Sequence, residues 1–248
     1  MSGPVPVPPT LATPQAKTQR IVGSVAVLVL ANLQRSSRAW AFSRLVLGGR
    51  PLRGVPGLCF AKVLGSGENG GFGLTPSATH QGLFLVFNDE AAARNFIDTS
   101  PVLAAYRDRA RELCVAVLRA CSSKGSWAGA AMAVTAAAPL SGPVAALTRA
   151  SIRPLRATRF WRLSPPAERD LAAADGCLLA AGLGEAPLLR QATFSLWRSV
   201  ADMDAYARSG AHQEAIRAAY DGGYFSESMF VRFVPLQLRG VWQGRRYD

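Results

Sequence analysis

The chain has 248 residues, 49% of them hydrophobic and 18% charged, a balance that suits one large globular domain or two small ones and excludes an intrinsically disordered chain. Its formal charge of +12 is almost entirely arginine, which favours anionic partners. The charges are scattered without a Lys/Arg block of five or more, so no nucleic-acid-binding arm is expected. Four cysteines, Cys59, Cys114, Cys121 and Cys177, show neither a CxxC pair nor zinc spacing. That pattern points to free thiols in a reducing compartment, with Cys59, Cys114 and Cys177 as small core residues.

In chain order, residues 1–20 are a Pro-rich lead expected to be disordered. Basic residues then precede an apolar run at 21–33, an arrangement that imitates a signal peptide. The run is too short to span a bilayer and reads as a Val/Leu-rich strand. A helix is expected over 36–48, started by Ser36 or Ser37 and stopped by Gly48-Gly49. Strands follow at 57–65 and 81–88. A helix capped by Asn88 or Asp89 runs to about residue 112, broken before Pro101, and a strand covers 113–121. Residues 128–142 are an Ala-rich linker. Beyond it come strands at 143–153, 177–183, 190–198 and 229–238, and helices at 156–174, interrupted by Pro165-Pro166, and 199–220.

The halves follow one pattern. Residues 80–96 (HQGLFLVFNDEAAARNF) align without gaps to 190–206 (RQATFSLWRSVADMDAY). GSGE (65–68) matches GLGE (182–185), RAW (38–40) matches RFW (159–161), and KGSW (124–127) matches RGVW (239–242). Matches in one order at similar spacing indicate a duplication. Each copy, 21–127 and 143–244, reads β-α-β-β-α-β, the ferredoxin-like unit. The fold class is therefore α+β: tandem ferredoxin-like units whose bare sheet faces pack together, a single-chain version of the dimeric α/β barrel. Glu68 and Glu185 each follow a glycine of the repeated motif, which suggests turn or cap roles. His80 and His212 are the only histidines. By the repeat His212 falls opposite Val102, and His80 opposite Arg190, so imidazole occurs in one copy only at each position.

Longer segments carry a family resemblance. GPVAALTRASIRPLRATRFWR (142–162), GLGEAPLLRQATFSLW (182–197), RSGAHQEAIRAA (208–219) and YFSESMFVRF (224–233) resemble the spheroidene monooxygenase family of carotenoid biosynthesis. SSRAWAFSRLVLGG (36–49), PGLCFAKVLGSG (56–67) and GFGLTP (71–76) do so in the first half, so the resemblance covers roughly residues 22–244. It implies a haem-containing oxygenase that uses O2 and an external donor, a reduced ferredoxin. Such an enzyme oxidises C-2 of an acyclic carotenoid such as spheroidene, to a hydroxyl and then a ketone.

The residue inventory is compatible. Dioxygen activation needs a redox centre, no 2-His-1-carboxylate cluster for non-haem iron is seen in a chain with only two histidines, and one axial histidine suffices for haem. GSGENGG (65–71) lacks the strand-turn-helix context of a dinucleotide site. His212, inside a family motif, is the expected iron ligand, with His80 as fallback and a thiolate of Cys114 or Cys177 as a third choice. Arg149, Arg190 and Arg217 are candidates for the haem propionates. Trp40, Trp197, Phe194 and Phe230 are candidates to wall a polyene pocket, as is Trp161, and plain core packing is the competing reading for all of them. Ala61 stands where a bulky aromatic is expected in the family. The other readings kept open are a haem-dependent dehydratase, a cofactor-free oxygenase of the same barrel, and a protein that binds haem or carotenoid without turnover. A bilayer-dissolved substrate and a basic surface together imply a cytoplasmic protein peripherally attached to the anionic inner or photosynthetic membrane.

Overall fold

The structure is a computed structural model, and it describes residues 20–71, 75–161, 171, 173–186, 189–208 and 223–248. A short strand, β1 (Arg20–Val22), comes first. The first unit follows as β2 (Val25–Leu33), α1 (Arg38–Leu47), β3 (Leu58–Gly67), β4 (Pro76–Phe87), α2 (Glu90–Thr99), α3 (Pro101–Arg107) and β5 (Ala110–Gly125). In the stretch read as a linker, β6 (Ala130–Met132) pairs in parallel with β1. The second unit contains β7 (Val144–Ile152), a helical segment at 157–161, β8 (Cys177–Ala186), β9 (Arg190–Trp197), α4 (Val200–Ala207) and β10 (Phe225–Trp242). β11 (Arg245–Tyr247) folds back on β10.

Local chemistry accounts for the helix boundaries. Gly48, at φ +54°, ends α1 where a side chain would be strained. Asp89 accepts the Ala92 N–H and caps α2. Ser100 caps α3 and Pro101 occupies its first position, where a missing N–H costs nothing, so the break before Pro101 makes two helices.

The strand order is β5-β2-β4-β3 in the first unit and β10-β7-β9-β8 in the second, and every pairing within and between them is antiparallel. β5 pairs with β10 along a long seam, and β3 meets β8 at Gly65 and Gly184, closing an eight-stranded barrel. The registers Leu58 with Phe87 and Cys177 with Trp197 make Gly65 and Gly184 equivalent positions of the two units. The repeat thus meets itself there. The GSGE–GLGE match is out of register by two residues, and its glutamates are not counterparts. Glu68 is exposed in the turn after β3, whereas Glu185 is still within β8.

The KGSW–RGVW match has a clear cause. Gly125 (φ +76°) and Gly240 (φ +116°) lie against the Ser228 and Leu113 carbonyls, and a Cβ at either would stand 2.0 Å from that oxygen. Two residues on, Trp127 and Trp242, each 1% exposed, turn into the barrel. Gly240→Ala should cost more than about 1 kcal/mol, because both the positive φ and the carbonyl oppose the methyl. The check is thermal unfolding, and an unchanged melting temperature would contradict the assignment.

The barrel is filled rather than hollow. Leu28, Leu30, Phe84, Leu118, Leu147, Phe194, Val231 and Phe233 pack inside with Trp127 and Trp242. The space between the two packed sheets is therefore occupied by side chains. Outside the first sheet, α1, α2 and α3 cover Val27, Val29, Leu83 and Leu85 with Ala41, Phe96, Leu103 and Tyr106.

Candidate functional site

The two outer sheet faces differ. Opposed residues of an antiparallel pair share a face, so the registers define rows across each sheet. In the first sheet one outer row reads Val115, Val29, Leu83, Val63. The equivalent row of the second reads Phe230, Thr148, Thr193, Gly182. The next row reads Val117, Val27, Leu85, Ala61 in the first sheet and Arg232, Ala146, Ser195, Ala180 in the second. Branched aliphatics have been exchanged for small and hydroxylated residues. Thr148 is exposed and Thr193 half-buried, whereas Val29 and Leu83 are buried. The result is a patch of small side chains with Phe230 at one side, in which Thr148 is exposed while Ala146, Gly182 and Ser195 are buried. Trp197 lies beside it, buried, donating its indole N–H to Ser195 Oγ at 2.9 Å and stacked obliquely on Tyr206. Arg232 pairs with Asp204 at 2.7 Å and ties β10 to α4 on this side.

Inside the barrel, at the β8 end, the two units share a charged cluster. Arg149 reaches from β7 to Glu185 Oε2 (3.2 Å) and Glu227 Oε2 (2.5 Å). Lys62 of β3 pairs with Glu185 Oε1 at 2.6 Å. The Trp127 indole N–H donates to Glu185 at 2.9 Å, and its ring is stacked on Phe84 and faces both cations. Glu227 also accepts from Ser126 Oγ and from the Ala128 and Gly129 N–H groups. Burial pushes the Glu185 carboxyl up, but hydrogen bonds from Lys62 and Trp127 and the neighbouring cations outweigh it, leaving its pKa below the ordinary carboxylate value. Glu227 is lowered in the same way, burial being overcome by the loop donors and Arg149.

The expected site residues are thus divided. Trp197 and Phe230 come together on the outer side of the second sheet. Phe194 is inside the barrel, and Trp40 lies outside the first sheet with its ring edge on Tyr106. Trp161 is buried against Phe160. Arg149 is 3% exposed and committed to two carboxylates, not free for a propionate. Arg190, first residue of β9, is exposed. His80 is buried, its Nδ1 2.8 Å from Ser77 Oγ and its ring edge-on to Trp242. Burial lowers its pKa, Glu112 partly opposing and Arg111 assisting, so it is held neutral. Cys114 is buried with its thiol pushed up to about 12, and Cys177 is raised too, so neither offers a ready thiolate. All four cysteines are free. Ala61 lines a surface cleft of about 380 Å³ with Arg50, Arg53 and Phe60. His212 and Arg217 lie outside the described residues. Among the described residues no group of three or more His, Cys, Asp or Glu could hold a metal ion. Sequence reasoning missed the Lys62–Glu185–Arg149–Glu227 cluster, although Glu185 and Trp127 both sit in repeated motifs.

No protein-family model matches the chain. Among curated proteins it is 59% identical over 225 residues to the spheroidene monooxygenase of Rubrivivax gelatinosus, covering 91% of this chain and 87% of that one. The chain belongs to the spheroidene monooxygenase family. The Rhodobacter capsulatus spheroidene monooxygenase is 37% identical, over 85% of this chain and 89% of that protein. Among solved structures the fold of this family member is shared with aldoxime dehydratases. One, crystallised with butyraldoxime, has a TM-score of 0.56 at 9% identity over 85% of this chain and 79% of its own. A second has a TM-score of 0.54 at 12% identity, over 85% and 80%.

Proposed function

We propose that the protein is a haem-dependent monooxygenase that introduces a hydroxyl and then a keto group at C-2 of an acyclic carotenoid such as spheroidene, using O2 and a reduced ferredoxin. The observation that carries this reading is the 59% identity to a spheroidene monooxygenase along nearly the whole chain. The second sheet's outer face fits a flat apolar group. Its patch of Gly182, Ala146, Thr148, Thr193 and Ser195 gives up the side-chain volume that Val63, Val27, Val29, Leu83 and Leu85 fill in the first unit. Trp197 and Phe230 stand at its margin.

His212 is the residue that would hold the haem iron. Its counterpart in the repeat, Val102, packs from α3 against the cluster outside the first sheet, and it is this correspondence that supports proposing the haem on the matching side of the second unit. His80, enclosed by Ser77 and Trp242 inside the core, remains the fallback. Arg190 and Arg217 are the remaining candidates for the propionates. When bound, haem supplies the one-electron chemistry with O2 that side chains lack. The apolar margin then orients the polyene and excludes water. No helix among the described residues is long and apolar enough to cross a membrane, and the proposed location is the cytoplasmic surface of the membrane that holds the pigment. Expression in cells that accumulate spheroidene should yield 2-hydroxy and 2-keto pigments by chromatography and mass spectrometry. Unaltered pigment with haem-loaded, folded protein present would overturn the proposal.

A further inference from the structure

The outer surface of α1 is not finished as an ordinary protein surface. Phe42 and Val46 are each 68% exposed and Leu45 is 36% exposed. Their spacing puts them on one side of the helix, together with Arg38 one turn earlier. Arg35 precedes the helix and Arg50 and Arg53 follow it, all exposed. No acidic residue occurs before Glu68 anywhere in the chain. Among the described residues none of these arginines forms an ion pair. Arg50 and Arg53 also border the 380 Å³ cleft at the foot of α1, whose floor is Leu52, Leu58 and Phe60. Some basic groups elsewhere are offset, Arg94 and Arg119 by Glu90, Arg198 by Asp175 and Asp202, and Arg232 by Asp204; others, Arg239 and Arg246 among them, are exposed without an ion pair among the described residues, so it is the apolar ridge beside the arginines that sets α1 apart.

An exposed apolar ridge framed by unpaired arginines, with acid excluded, is what an interfacial helix requires. The apolar groups enter the headgroup region while the guanidinium groups meet lipid phosphates. We infer that α1 and the turn after it, through Phe42, Leu45, Val46 and the arginines 35, 38, 50 and 53, dock the protein on an anionic phospholipid bilayer. This deepens, and rests on, the reading that the substrate is dissolved in membrane. An acidic protein would satisfy the arginines but not the protruding ridge.

The test is sedimentation of the purified full-length protein with carotenoid-free vesicles, either pure phosphatidylcholine or phosphatidylcholine with phosphatidylglycerol. Binding should need the anionic lipid and weaken with salt. The Phe42→Ser/Val46→Ser and Arg50→Ser/Arg53→Ser variants should each lose about tenfold or more in partitioning, with melting temperature unchanged because these side chains are exposed. Arg239→Ser/Arg246→Ser, an equal loss of charge elsewhere on the surface, should bind as the parent does. Equal losses in all the charge variants would reduce the effect to net charge and overturn the inference. So would variants that keep vesicle binding, including any that lose only their association with reduced ferredoxin. Because no turnover is measured, a protein that binds through α1 yet leaves pigment unaltered would refute the proposed activity and leave this surface standing.

Discussion

Replacing Arg149 with Ala should destabilise the protein by roughly 3–5 kcal/mol, the usual cost of removing one partner from a buried ion cluster. At about 2–4 °C per kcal/mol for a chain of this size, the melting temperature should fall by roughly 10 °C. The reason is geometric. Arg149 is the only cation that touches both Glu185 and Glu227 among the described residues, and without it two partly buried carboxylates share a site with Lys62 alone. Replacing Arg149, Lys62, Glu185 and Glu227 together with apolar residues of similar volume should restore much of the loss, since desolvation cancels much of the pairing energy. The acid dependence has a defined sign. Glu185 and Glu227 have folded-state pKa values below the ordinary one. Their contribution is therefore complete above the unfolded value of about 4.3 and is lost as pH falls through the folded value. The gap between wild type and Arg149→Ala should be wide at pH 7 and narrow progressively as pH falls below the unfolded carboxylate value. A gap independent of pH would mean that packing against Trp127, not charge, explains the loss.

The second large effect concerns the proposed cofactor. His212→Ala should lower haem affinity by at least about 100-fold and remove the Soret band, since outer-shell changes alone cost 10–100-fold at such centres. His80→Ala should keep the haem spectrum. A normal spectrum in His212→Ala would remove that residue from the site. Thr193→Leu tests the patch independently of the ligand: it installs the first unit's residue, Leu83, at the register-equivalent position of the second sheet. Haem uptake should drop while the barrel stays folded, as judged by circular dichroism. Full haem loading in that variant would place the group elsewhere.

The duplication, the order of strands and helices and the break before Pro101 are local facts, and they were legible because each is written in contiguous residues. The same holds for the two-histidine limit on metal chemistry and for the excess of arginine. The faces were not legible. The first-sheet strands are apolar on both sides, as in VAVLVL of β2, so alternation could not say which residues face the barrel and which face helices. On β9, Phe194 and Trp197 are three positions apart and so face opposite sides, but only the closed barrel shows that Phe194 is the internal one and Trp197 the outer.

Partnerships across the barrel were equally hidden. Glu185 read as a turn residue because its partners, Lys62 and Arg149, are 123 and 36 positions away, and only barrel closure brings them together. Tertiary structure likewise decided that the interior is solid and that the small-residue patch lies outside. A sequence specifies side-chain size position by position, but whether a missing side chain leaves a cradle depends on the rows that strand register assembles.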